Sequence, residues 1–93
     1  MTVVTLRLDL RLARCSTSRE ARRQLEGIME KLHRHFNVSV AGSEVEGGSD
    51  LAVLLVAAAG RTRKDARATL ERVADALSAH PRAEVLGHAI TEV

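Results

Sequence analysis

The run Val4-Thr5-Leu6-Arg7-Leu8-Asp9-Leu10-Arg11-Leu12 decides the fold. From Val4 onward every even position is apolar and every odd one polar. A period of two belongs to a β-strand with one buried face. That face needs a cover. Two later segments, near residues 18–36 and 62–79, carry apolar residues at helical spacing and supply it.

Outward from the strand, which ends near Ala13, residues 14–16 form a connection. Thr17 is a good helix N-cap, with Glu20 three residues on as a capping-box partner. Leu25, Ile28, Met29, Leu32 and Phe36 then form one helical stripe. The other side carries Arg19, Arg22, Arg23, Glu26, Glu30, Lys31 and Arg34. Gly27 weakens this helix slightly and is expected to mark close packing. A second strand begins over residues 38–41, where Gly42 reads as a bulge or bend. Gly47-Gly48-Ser49-Asp50 is a turn cluster that makes a hairpin. Residues 51–59 are apolar throughout, as in a central strand covered on both sides. Thr62 caps a second helix, with Asp65 as the weaker partner. Ala66, Leu70, Val73, Ala74 and Leu77 make its stripe, and His80-Pro81 stops it. Residues 85–91 form the last strand.

The element order is therefore β-α-β-β-α-β. With right-handed crossovers the expected architecture is a single α+β domain over residues 1–93. It is a ferredoxin-like two-layer sandwich: a four-stranded antiparallel sheet of order 4-1-3-2, with both helices on one face. A chain of 93 residues at 45% hydrophobic content holds such a core without metal or disulfide support. Cys15 is the one cysteine, so no intramolecular disulfide forms, which fits a reducing compartment. No apolar run reaches the length of a membrane span, and Arg7, Asp9 and Arg11 interrupt the N-terminal stretch. The expectation is a cytoplasmic protein with no membrane partner and no cofactor.

A formal net charge of +2 is modest, so any polyanion site depends on where the charges sit. The helices of this topology run antiparallel, which sets the start of the second beside the end of the first. Arg61, Arg63, Lys64 and Arg67 are expected to gather there with Lys31 and Arg34, offset only in part by Asp65 and Glu30. Cations at a helix N-terminus oppose its dipole, whereas exposed backbone N–H groups beside cations suit an anion. The functional reading is contact with phosphate or RNA backbone; the plainer one is a solvated basic surface. At the opposite pole Arg14, Arg19, Arg22, Arg23 and Arg82 are expected to pair with Glu44, Glu46 and Asp50. The second sheet face carries Thr5, Arg7, Asp9 and Arg11 with apolar side chains from the third strand, a candidate homodimer surface. The alternative function is an oligomeric protein- or small-ligand-binding regulatory module that uses this face.

The chain has no Trp or Tyr, so the stacking of bases on sheet aromatics used by RNA-recognition domains of this topology is disfavoured. RNA contact would run through the backbone and weaken with salt. Cys15 precedes a helix N-terminus, where a thiol pKa can fall, but no histidine stands at a known spacing from it. His33 and His35 are two apart on a helix and do not share a face. Gly47-Gly48 lacks the Lys and Ser/Thr of a phosphate-binding loop. The chain reads as non-enzymatic.

Three stretches carry a family resemblance. Thr17-Ser18-Arg19-Glu20-Ala21-Arg22-Arg23-Gln24-Leu25 resembles a Ser-Leu-Lys-Glu-Lys-Arg-Arg-x-Leu run, and Phe36-Asn37-Val38-Ser39-Val40-Ala41 matches a Phe-Asn-Val-Ser-Val-Ala run. His80-Pro81-Arg82-Ala83-Glu84-Val85-Leu86 is similar to the same family's ending. Together they look like the YlxP-like family, bacterial domain of unknown function 503. The chain departs at Ala21, Gly42 and about Ser49, where the family often has Lys, Glu and Trp. The resemblance implies a ferredoxin-like fold and no established activity. It also implies gene neighbours for translation initiation factor two and ribosome-binding factor A, hence a ribosome or RNA association. The expected phosphate contacts are Arg61, Arg63, Lys64 and Arg67, with Arg22 and Arg23.

Overall fold

Strand β1 (Thr2–Leu12) pairs along both edges, and the rest of the molecule is laid out from it. The computed structural model describes residues 1–45 and 50–93. After β1 come α1 (Ser18–His35), β2 (Ser39–Glu44), β3 (Leu51–Gly60), α2 (Arg63–Ser78) and β4 (Ala83–Glu92). The sheet order is β2-β3-β1-β4, every neighbouring pair antiparallel. This is the expected ferredoxin-like α+β sandwich.

Val4, Leu6, Leu8, Leu10 and Leu12 are all buried, against Ala52, Leu54, Val56 and Ala58 of β3 and the helical stripes above them. Each buried leucine stabilises the fold by roughly 2 kcal/mol relative to exposure. From α1 the stripe buries Ala21, Leu25, Ile28 and Leu32; from α2, Ala66, Leu70, Val73 and Leu77. Thr17 Oγ1 accepts from the Glu20 N–H at 3.2 Å and Thr62 Oγ1 from the Asp65 N–H at 3.1 Å, so both N-caps form. The Glu20 carboxylate reaches back one residue further than the capping box requires, to the Ser16 N–H at 3.2 Å.

The helices divide the sheet. The first lies along β2, and the second spans β1, β3 and β4. Gly42 belongs to this division. A Cβ there would stand 2.8 Å from Leu54 Cδ2 and 2.9 Å from Met29 Sδ, so Gly42 admits the helix onto β2 and marks no bulge. The bulge is in β4. Its register shifts between the partners of Asp9 and Leu10, leaving Leu86 as the extra residue, 46% exposed. The last strand also begins at Ala83, earlier than expected, because Ala83 pairs with Leu12.

β3 differs from expectation on its second face. Ala52, Leu54, Val56 and Ala58 are buried, but the alternate side is uncovered and leaves Leu55 50% exposed. The antiparallel pairing of β2 with β3 establishes the hairpin. Glu46, Gly47, Gly48 and Ser49 lie outside the described residues.

Candidate phosphate-binding site

The start of α2 carries the cations expected there, but half of them have partners. Arg63 Nε lies 2.5 Å from Glu92 Oε1, and Arg67 Nε lies 3.4 Å from Glu71 Oε1. Arg61 and Lys64 have no carboxylate within 4 Å among the described residues. The pairs are exposed and individually weak. They still cancel much of the field that a bound phosphate would meet.

Lys31 is not part of this pole. The second half of α1, through Lys31, Leu32 and Phe36, faces the last turn of α2 and the residues after it, Leu77, Ala79 and His80. Arg63 is 14 residues before Leu77, about 21 Å along the helix axis at 1.5 Å per residue. The first turn of α2 therefore projects away from Lys31, toward the end of β4 and Glu92. Arg34 is held by Glu30 of its own helix at 2.7 Å.

Around the other end of α2 the expected pairing is only partial. Arg22 Nε donates to Glu44 Oε1 at 3.0 Å. The Glu44 carboxyl is held below the usual carboxylate range, by its own backbone N–H first and by Arg22 as well. Arg11 lies 3.5 Å from Asp50 and 3.8 Å from Glu84. Arg23 and Arg82 have no carboxylate within 4 Å among the described residues.

Those two cations line a groove of about 440 Å³ between α1 and the turn joining α2 to β4. Lys31 completes the set, and no acidic side chain lines the groove. Ile28 and Pro81 give it an apolar part, and Gln24, Gly27 and His80 fill the remaining wall. His80 Nδ1 accepts from the Arg82 backbone N–H at 3.1 Å. Burial above all, with the Lys31 and Arg82 charges, lowers the His80 pKa. The ring is thus neutral near pH 7, with its remaining proton on Nε2. Arg23, Gly27 and Lys31 are four residues apart in series, one helical stripe, so this wall was readable from spacing alone. What spacing does not show is that the residues after α2, rather than its first turn, face that stripe.

Burial raises the Cys15 thiol pKa, assisted by the Glu20 and Asp50 carboxylates, so the nearby helix N-terminus does not activate it. Its Sγ lies 3.6 Å from the Ala13 carbonyl oxygen. No group of three or more metal-ligating side chains occurs among the described residues. No helix among them is long and apolar enough to cross a membrane.

Residues 3–90 match the family described as "Protein of unknown function (DUF503)". The chain belongs to this family. The resemblance seen in residues 17–25, 36–41 and 80–86 is thereby borne out. No curated protein matches the chain. Among solved structures, the de novo designed protein Foldit4 is similar over 96% of each chain, with a TM-score of 0.59 and 17% identity. At that identity the likeness shows the fold alone. Two family departures have structural settings here: Ala21 is buried in the core and Gly42 lies under Leu25 and Met29.

Proposed function

We propose that this protein is a non-enzymatic, cytoplasmic accessory factor that contacts the phosphates of RNA. The observation that carries this reading is the groove where Arg23, Lys31 and Arg82 meet without a carboxylate among its lining residues. Arg61 and Lys64 extend the basic surface at the far end of α2. Arg22, Arg63 and Arg67, engaged by Glu44, Glu92 and Glu71, contribute less. With Phe36 the sole aromatic, recognition runs through charge rather than base stacking. The gene neighbourhood implied by the family resemblance makes ribosomal RNA the first to test. Titration of structured RNA and ribosomal subunits at 50 mM and 200 mM salt tests the reading. Binding at low salt that weakens at least tenfold at the higher salt supports it. No binding at low salt rejects it.

A second reading rests on the uncovered sheet face, where Val3 is 42% and Leu55 50% exposed beside Val53 and Ala57. The Arg7–Asp9 pair on the same face, 3.2 Å apart, is self-complementary about a two-fold axis. A second copy packed face to face would cover it. Light scattering at micromolar concentration then gives twice the chain mass; a monomer excludes this reading.

A further inference from the structure

Three features of the groove converge on one type of ligand. The first is charge. Arg23 and Lys31 from α1 and Arg82 from the opposite wall bring three cations to one cavity of about 440 Å³, within the size range of small-ligand pockets. A diester backbone carries one charge per phosphate and is tracked by a row of cations; three cations around a single concavity suit a dianion.

The second is unmet hydrogen bonding. Gln24 Nε2 donates to the Ala13 carbonyl oxygen at 3.0 Å, but Gln24 Oε1 is buried with no partner. It is the one such side-chain atom among the described residues. A buried acceptor left unpaired costs about 1–3 kcal/mol, and Gln24 is part of the groove lining. His80 Nε2–H, left free because Nδ1 accepts from Arg82, is a donor of the opposite sense in the same lining.

The third is Gly27. A Cβ built there meets no atom within 4 Å, so nothing inside the protein requires glycine. In mid-helix it nevertheless costs close to 1 kcal/mol relative to alanine. It lies between Arg23 and Lys31 on the groove wall, where the missing side chain leaves the cavity open.

We infer that this groove binds a phosphate monoester on an organic group, the class that includes a mononucleotide and the 5′-phosphate end of an RNA strand. Arg23, Lys31 and Arg82 hold the dianion, and Ile28 and Pro81 contact the sugar or base. This deepens the phosphate-contact reading above and rests on it. The test compares a short RNA bearing a 5′-phosphate with the same RNA bearing a 5′-hydroxyl, by fluorescence anisotropy, with adenosine 5′-monophosphate measured by calorimetry. The phosphorylated RNA is expected to bind about tenfold more tightly, as one charge-assisted contact of ~1.4 kcal/mol provides. Lys31→Ala with Arg82→Ala abolishes that preference. Gly27→Leu fills the groove and abolishes it as well, while raising the melting temperature, which separates occupancy from folding.

Equal affinity for the two RNA ends overturns the groove assignment and leaves backbone contact standing. A preference that survives either variant overturns it too. Binding of the mononucleotide without binding of either RNA upholds the groove and overturns the RNA reading. Binding of none of the three overturns both.

Discussion

Arg14 is the one non-glycine residue with positive φ among the described residues, at 60°. The left-handed region costs an ordinary L-residue about 1–2 kcal/mol, whereas glycine enters it freely. Arg14→Gly is therefore expected to raise unfolding stability by about 0.5–1 kcal/mol, the strain relieved exceeding the added chain entropy. Urea denaturation checks this; a loss of stability would mean that the arginine side chain makes a compensating contact. His80 makes a prediction of opposite character. Its folded pKa lies below its ordinary value, from burial first and then from Lys31 and Arg82. As pH falls from 7 toward 5, the unfolded chain takes up that proton before the folded one does. Stability contributed by neutral His80 is present above the unfolded pKa of about 6.5 and is lost below it, down to the folded pKa. His80→Asn, which keeps an acceptor for the Arg82 N–H, is expected to flatten the fall in melting temperature over that range. Parallel pH profiles for the two proteins would contradict it. Neither effect was visible in the sequence. Backbone φ and the approach of Lys31 to His80 are products of chain reversal, and local residue types do not encode them.

The elements show where sequence reasoning succeeds. Alternation in β1 specified its buried face in full, because a one-residue slip would put Arg7, Asp9 and Arg11 in the core. Both N-caps were legible because Thr17 and Thr62 satisfy local backbone donors. The roles of Gly27 and Gly42 were not, since a glycine looks the same in sequence whatever its missing side chain makes room for. Gly27 was expected to mark close packing and has open space beside it; Gly42 was expected to bend a strand and instead receives a helix. Their alanine variants should respond in opposite directions. Gly27→Ala should stabilise α1 by about 0.5–1 kcal/mol. Gly42→Ala should cost about 1–3 kcal/mol, because Leu54, Met29 and Leu25 must shift. Thermal melts of the pair decide the matter, and equal shifts of the same sign would refute the assigned packing.

At the scale of the whole molecule, the order of elements and the order of strands followed from hydrophobic periodicity and handedness. The distribution of charge followed only in part. Counting cations along α2 favoured its first turn. The Arg67–Glu71 pair is an i,i+4 contact within the helix that spacing shows, whereas the Arg63–Glu92 pair depends on the end of β4 packing beside that turn. Arg23, Lys31 and Arg82 come from two separated segments, and only the packed helices bring them to one groove. The measurement that tests their role most directly is the salt dependence of RNA binding for the native chain and for the variant with all three replaced by alanine. Each phosphate contact to single-stranded RNA contributes about 0.7 to the slope of log K against log salt. The triple variant is expected to bind more weakly at low salt and to show a shallower slope, by about 0.7 for each phosphate that the three cations neutralise. An unchanged slope and affinity would contradict the assignment of the phosphate site to this groove.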